Sequence, residues 1–353
     1  MAEPVVTVCV PTFNGEHHLE ACLESVLGQT FTDFELLVVD DASRDRTVEV
    51  AERFRQQDPR VRIERNPRNL GLGANWNRCV DLATGEWLKF VHQDDVIAPT
   101  CIDALLAARR PGCPLVACKR VLRFDDDGDA VRADYRHTVQ HSVDTLFGEV
   151  PYVSGEQMCG AVLDHFGINF VGEPTAVLVA RDAFHRFGGF NERLPVLCDF
   201  EYWARVGGHT GLAYVPETLA TFRVHSRAIS TFNRTVLRSH WEWLDPLVLR
   251  ADLATAPAYE PHRRVAAGRR PPIDLARAAL DLAALARLRA EQTLRASSPP
   301  DPAFLRAWRD VVASYPMLSR SPRLRALDVR YVVGRRLRRW SPSRPSASEP
   351  RTP

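Results

Sequence analysis

Apolar and polar positions alternate between two rhythms along the first part of the chain. Short runs rich in Val, Leu, Ile and Phe at 5–10, 34–39, 61–64, 87–91 and 115–118 predict strands. Between the first two, Leu19, Leu23, Val26 and Leu27 recur at helical spacing on one face, which predicts a helix over 17–27; a second is predicted from Thr47 to about residue 56. Strands alternating with helices imply βαβ units and a mostly parallel sheet. Beyond 120 the rhythm loosens. Residues 125–129 read as a turn, and 132–160 as a long loop or lid. Order returns with a strand at 174–180, a helix at 181–187 stopped by Gly188-Gly189, a helix near 200–206 and a strand at 211–215. From about 234 onward the pattern is helical, most regularly at 273–296 and 302–314.

Composition narrows the class. The 353 residues are 45% hydrophobic and 25% charged, the balance of a globular chain long enough for a catalytic domain and an appendage. A formal charge of +2 provides no overall field for nucleic acid. No run approaches the roughly 18 apolar residues of a membrane span, and the opening segment lacks a basic leader, so the expectation is a cytoplasmic protein with at most peripheral membrane contact. Eight scattered cysteines with no C-x-x-C pair read as reduced core thiols. Charge is concentrated at 323–339, where seven arginines interleave with apolar residues before Trp340. Such a segment fits an amphipathic helix on the inner membrane face or, equally, a solvated helix face. The Ser-, Pro- and Arg-rich residues 341–353 are expected to be disordered.

In open α/β sheets ligands bind beyond the carboxyl ends of the strands, so the residues following each strand carry the chemistry. The first strand runs into Pro11-Thr12-Phe13-Asn14 and the second into Asp40-Asp41-Ala42-Ser43. A ring and a carboxylate at neighbouring tips suit a nucleobase, by stacking and by accepting an imino N–H. Asp and Ser equally suit capping of the following helix. The fourth strand runs into His92-Gln93-Asp94-Asp95. Carboxylates there can ligate a hard divalent ion that neutralises a diphosphate, or can cap a turn before Pro99.

Taken together, V-C-V-P-T-F-N-G, L-E-S-V-L-G-Q-T-F-T-D-F-E-L-L-V-V-D-D-A-S, N-L-G-L-G-A-N-W-N-R and F-V-H-Q-D-D occur in an order that resembles the family 2 glycosyltransferases of GT-A fold, over about 5–230. The resemblance implies a Rossmann-like, mostly parallel sheet flanked by helices, with a helical C-terminal extension. It also implies a catalytic domain over 1–232, with a nucleotide-sugar half to about 120 and an acceptor half from 121, followed by a helical region over 233–340. Pro11, Phe13 and Asp41 would contact the donor base beside Asn14, and Asp40 would support their turn. Asn77, Arg78 and Asp95 would lie against the donor. Asp94 would ligate Mg2+ or Mn2+. His92 stands where the D-x-D motif has its first Asp.

In the acceptor half, G-E-P-T-A-V-L, G-G-F-N-E-R-L and C-D-F-E-Y-W-A-R follow. There the resemblance makes Asp199 the base of an inverting displacement, with Glu201 in reserve. Arg223 and His225, from an R-x-H…S element closed by Ser230, would approach the diphosphate or metal. The implied donor is a nucleotide sugar, UDP-linked by preference and otherwise GDP- or dTDP-linked. The implied acceptor is a carbohydrate, lipid-linked or small-molecule hydroxyl, as in polysaccharide, glycolipid or natural-product glycosylation. A sugar-phosphate nucleotidyltransferase is disfavoured, because only Asn14-Gly15-Glu16 stands where a Gly-rich basic loop would follow the first strand. A non-catalytic, nucleotide-binding scaffold is kept open by His92 and opposed by the joint presence of Phe13, Asp41, Asp94 and Asp199.

Overall fold

The computed structural model describes residues 3–125, 141–225, 227–228, 237, 240–296 and 302–319. Strands β1 (Val6–Thr12), β2 (Phe34–Asp40), β3 (Val61–Arg65) and β4 (Trp87–Phe90) pair in parallel in the order β3-β2-β1-β4. Helices α1 (Leu19–Leu27), α2 (Thr47–Gln57) and α3 (Leu72–Leu82) supply the crossovers. Val8, Val10, Leu36, Leu37, Val39 and Leu88 have no exposed surface, as expected of strands covered on both faces. The register sets Thr12 beside Asp40 and Cys9 beside Phe90, so the chain leaves β1, β2 and β4 at one edge of the sheet.

The other half contains β5 (Val96–Ile97), α4 (Cys101–Ala107), β6 (Leu115–Phe124), α5 (Val143–Phe147), β7 (Tyr152–Val153), α6 (Gly155–Asp164), β8 (Val177–Ala180), α7 (Arg181–Phe187), α8 (Cys198–Thr210), β9 (Leu212–Val224), α9 (Asp245–Thr255) and α10 (Glu260–Gly268). Here β6 pairs in parallel with β9, so the sheet stays mostly parallel as expected, and antiparallel strands are added to it. β8 lies antiparallel between β4 and β6, and β9 pairs antiparallel with β5 and β7. Periodicity locates a strand but carries no information on its direction, so the sheet as a whole is mixed.

Two local differences bear on the site. The strand expected at 211–215 continues to Val224, because β9 crosses the exposed Pro216-Glu217-Thr218 through a register shift against β6. Within the expected 132–160 loop, α5 and α6 each start at a capping box, Ser142 with Thr145 and Ser154 with Gln157. Residues 126–140 lie outside the described residues.

The chain divides into two units, Met1–Leu275 and Ala276–Pro353, so α9 and α10 belong with the sheet, beyond the division expected at 232. Towards the second unit, α11 (Leu275–Ala296), α12 (Pro302–Ser314) and α13 (Pro316–Ser319) follow. The arginine-rich 323–339 segment and the 341–353 tail lie outside the described residues. Among the described residues no helix is long and apolar enough to cross a membrane. All eight cysteines are buried and unbridged.

A Cβ at Gly85, in the turn before β4, would stand 2.5 Å from the Thr7 nitrogen and 2.7 Å from the Val6 carbonyl carbon, both backbone atoms of β1. Gly85→Ala should therefore destabilise the fold by about 1–3 kcal/mol, read as a lower urea midpoint at unchanged m.

Candidate active site

Three loops meet beyond β1 and β2. Asp40, 1% exposed, accepts from the Ser43 N–H at 3.0 Å and the Thr12 hydroxyl at 3.3 Å, and lies 3.3 Å from Arg65 Nε. These contacts close a turn in which Ala42 takes a φ of 60°. Asn14, with a φ of 49°, donates its N–H to Ser43 Oγ and accepts from the Arg44 N–H, each at 2.9 Å. Asp41 accepts from Asn66 Nδ2 at 2.9 Å, the Leu70 N–H at 2.8 Å and the Gly71 N–H at 3.0 Å, which anchors the 66–71 loop.

Between these loops lies a cleft of about 480 Å³ lined by Phe13, Asn14, Ala42, Arg44, Pro67, Arg68 and Asn69. Both ends of the Gln93 carboxamide hold the Phe13 backbone, at 2.9 and 3.1 Å, while its ring is 39% exposed. An exposed ring on an anchored backbone is suited to stacking on a planar ligand. Arg44 and Arg68 were not anticipated from sequence; their signal was their place just past strand ends. Pro11 lies buried within β1. Asn77 is engaged elsewhere than against a donor: it bonds the N–H and carbonyl of Phe190 and the Glu192 carboxylate, bracing α3 to the 188–192 loop. Arg78 is exposed on the same helix.

The second cluster forms where β5 pairs with the end of β9, Val96 opposite Thr221. Continuing that register brings Arg223 and His225 against the two aspartates that precede β5. His225 Nε2 is 3.1 Å from Asp94 Oδ2. Arg223 Nη1 is 2.8 Å from His18 Nδ1 and 3.6 Å from Asp125, and the His18 ring lies 4.5 Å from that of His225. Ser230 lies outside the described residues. Asp95 does not face a ligand as expected. It has no exposed surface and accepts from the Thr175 hydroxyl at 2.5 Å and the Arg223 N–H at 2.9 Å. Burial, reinforced by the charge of Asp94, holds its carboxyl well above the usual carboxylate range.

His92 stacks on Trp76, with ring centroids 4.9 Å apart at 23°, and burial pushes its imidazole down to about 4, so the ring is neutral. Among the described residues no three His, Cys, Asp or Glu side chains gather as a metal cluster. The Asp94–His225 pair nevertheless fits a divalent ion. A carboxylate oxygen and an imidazole nitrogen 3.1 Å apart suit two adjacent ligands of one ion.

Asp199 opens α8. The chain entering that helix is pinned by buried Asp245, which accepts from the N–H groups of Val196 at 2.8 Å and Leu197 at 3.1 Å. Asp199 accepts from the Phe200 N–H at 2.7 Å and from Asn169 Nδ2 at 2.8 Å. Asn169 also brackets the Gly172 backbone, whose carbonyl accepts from the Trp203 indole at 2.9 Å. Gly172 has a φ of 122°, and a Cβ there would lie 3.1 Å from Arg120, so the position needs glycine. Arg120 in turn pairs with Glu173.

Burial first, then the charge of Glu173, pushes the Asp199 carboxyl up to about 7. Glu173 also acts on His92 and Asp95, so Asp199, the β4 tip and the 172–175 loop share one electrostatic neighbourhood. Asn169, Arg120 and Trp203 were not anticipated from sequence; only Trp203, four residues past Asp199 on a helix, left a signal. Glu201, the reserve base, is 2% exposed and gripped by Arg205 at 2.7 and 3.0 Å and by the Tyr259 hydroxyl. It is a structural anion.

The chain matches the model of Glycosyl transferase family 2 over residues 7–158. It is 31% identical over 259 residues to an uncharacterized protein of Mycobacterium tuberculosis, covering 70% of this chain and 78% of that one. It shares its fold with S. aureus TarS in complex with UDP-GlcNAc, at a TM-score of 0.57 and 16% identity, covering 91% of this chain and 83% of that one. The mannosyltransferase PcManGT of Pyrobaculum calidifontis, in complex with GDP-Man and Mn2+, aligns at a TM-score of 0.52 and 19% identity, covering 94% and 88%.

Replacing Glu201 with Gln leaves the buried Arg205 guanidinium uncompensated and should cost about 3–5 kcal/mol of stability. Chemical denaturation checks this; a loss below 1 kcal/mol would show that Glu201 does not anchor α8 to the Arg205 network.

Proposed function

The chain belongs to glycosyltransferase family 2, and from that membership we propose that it moves a sugar from a nucleotide-diphosphate donor to an acceptor hydroxyl with inversion. The observation that carries the proposal is Asp199: a carboxyl held by Asn169 and Phe200, poised near 7, in the same electrostatic neighbourhood as the β4 tip. A base of that strength suits proton abstraction near neutral pH. Asp199 takes the proton of the acceptor hydroxyl while its oxygen attacks the anomeric carbon. The bond to the diphosphate breaks on the opposite side, and its electron pair leaves with the phosphate.

Asp94 and His225 would hold Mg2+ or Mn2+, which when bound neutralises the charge building on the leaving diphosphate. The Arg223 guanidinium, fixed between His18 and Asp125, adds positive charge at the same place. Phe13 stacks on the base in the cleft between the 12–14, 42–44 and 67–69 loops. UDP is the favoured nucleotide, with GDP and dTDP as alternatives; the UDP-GlcNAc of TarS and the GDP-Man and Mn2+ of PcManGT support a donor and metal of this kind. The acceptor is a carbohydrate, lipid-linked or small-molecule hydroxyl. Cytoplasmic residence, with peripheral membrane contact through residues 323–340, completes the proposal.

Slow donor hydrolysis with a panel of UDP-, GDP- and dTDP-sugars, with and without Mg2+ or Mn2+, tests the reading. One nucleotide should be released in a metal-dependent manner, and Asp94→Ala should abolish the metal stimulation. Asp199→Asn should lower turnover by about 10²- to 10⁴-fold while nucleotide binding persists. The base works only when deprotonated, so the rate should fall as pH drops through about 7 and level off above it. A profile flat from about pH 5.5 to 8 would remove Asp199 from the base role.

A further inference from the structure

The Asp199 carboxyl is oriented by a bracket, and the bracket is itself tied down by a buried ion pair. Asn169 Nδ2 donates to Asp199 Oδ2 at 2.8 Å and to the Gly172 carbonyl at 3.0 Å, and its Oδ1 accepts from the Gly172 N–H at 3.0 Å. Arg120 of β6 holds the same loop. Its Nη2 donates to the Asn169 carbonyl at 3.2 Å, its Nε pairs with the Glu173 carboxylate, and a Cβ at Gly172 would lie 3.1 Å from its Cδ. One guanidinium thus reaches both ends of the 169–173 loop, as its planar fork of donors allows.

Packing alone gives no reason for an arginine at this place. Residues two apart share a face of a strand, and the face that carries Arg120 continues with Leu122 and Phe124, which pack on Phe222 and Val224. On either side of Lys119, β6 shifts register against β9, and such irregularities re-aim the side chains beside them. The Arg120 and Glu173 side chains are only 7% and 15% exposed. Charges so far from water add little stability over neutral residues of similar size, because desolvation offsets their attraction. What the pair does add is a fixed place for Asn169.

We propose, on the reading of Asp199 as the base, that Arg120 is a positioning residue: paired with Glu173, it locks Asn169 so that the Asp199 carboxyl keeps one orientation, and the two charges oppose each other at that carboxyl. After burial, Glu173 raises the Asp199 carboxyl and Arg120 lowers it. The other ionisable groups at the start of α8 are Cys198, Glu201, which is paired with Arg205, and Asp245, which holds the N–H groups of Val196 and Leu197. None of these is altered in the test.

The full-length protein, isotopically labelled at its aspartate carboxyl carbons, is titrated by NMR as wild type, Glu173→Gln, Arg120→Gln, Arg120→Lys and the Arg120→Gln/Glu173→Gln double variant. The Asp199 signal is the one missing from Asp199→Asn. Donor hydrolysis is followed on the same proteins with the sugar nucleotide that the panel above identifies. Asp199 should titrate about one pH unit lower in Glu173→Gln and about one unit higher in Arg120→Gln, with the double variant between them. Arg120→Lys keeps the charge and loses the fork, so Asp199 should titrate as in the wild type while kcat falls about 10- to 100-fold at an unchanged KM for the donor. The double variant leaves no buried charge unpaired, so it should fold even where a single variant does not, and its kcat should fall as well.

Two results would each overturn the proposal. One is an unchanged kcat in the folded Arg120→Lys and double variants; the other is a failure of the two Gln variants to move Asp199 in opposite directions, which leaves the pair a purely structural contact. Where hydrolysis is too slow to read, the titrations decide. An Asp199→Asn protein that hydrolyses the donor at the wild-type rate would defeat the base reading itself, and this inference with it.

Discussion

The buried carboxyl of Asp95 ties together three segments that lie far apart in the chain. It follows the β4 tip, takes the hydroxyl of Thr175 from the 172–175 loop and takes the backbone N–H of Arg223 from β9, across 80 and 128 residues. A carboxyl without exposed surface is tolerated only when its lone pairs are occupied, so burial and bonding enforce each other. Lys89 reinforces the knot: its ammonium, also fully buried, donates to the carbonyls of Phe90 and Thr175. The knot adds to the β5–β9 pairing and to the His92 N–H bond to the Thr175 hydroxyl, which hold the β4 tip beside His225 and the 172–175 loop.

Around that knot, acidic residues of similar sequence context differ in how fully they are bonded. Asp40, Asp41, Asp95, Asp245 and Glu201 are each at most 2% exposed and bonded to backbone N–H groups, buried hydroxyls or a guanidinium. Asp94 and Asp199 are different. Asp94 meets an imidazole, a partner that can share it with a cation. Asp199 is held by an amide and one backbone N–H while burial and Glu173 push its carboxyl towards neutrality. Burial also raises the carboxyls of Asp95 and Asp245, so the partners each group holds, and not acidity alone, set them apart from Asp199.

Much was legible in the sequence because it depends on local pattern. Apolar periodicity located the parallel strands and the helices between them, and the polar residues just past each strand end marked where chemistry gathers, since a parallel sheet delivers those ends to one edge. The motifs named the family. Strand direction, the continuation of β9 past Pro216 and the pairing that carries Arg223 and His225 to Asp94 were decided by the tertiary structure. So were the partners of Asp199, since Asn169 lies 30 residues away and carries no motif. The stacking of Trp76 on His92 belongs to the same class. Side-chain type and spacing along the chain prescribe local conformation, whereas burial, pairing and the resulting acidity depend on neighbours that only the folded chain brings within a few ångströms.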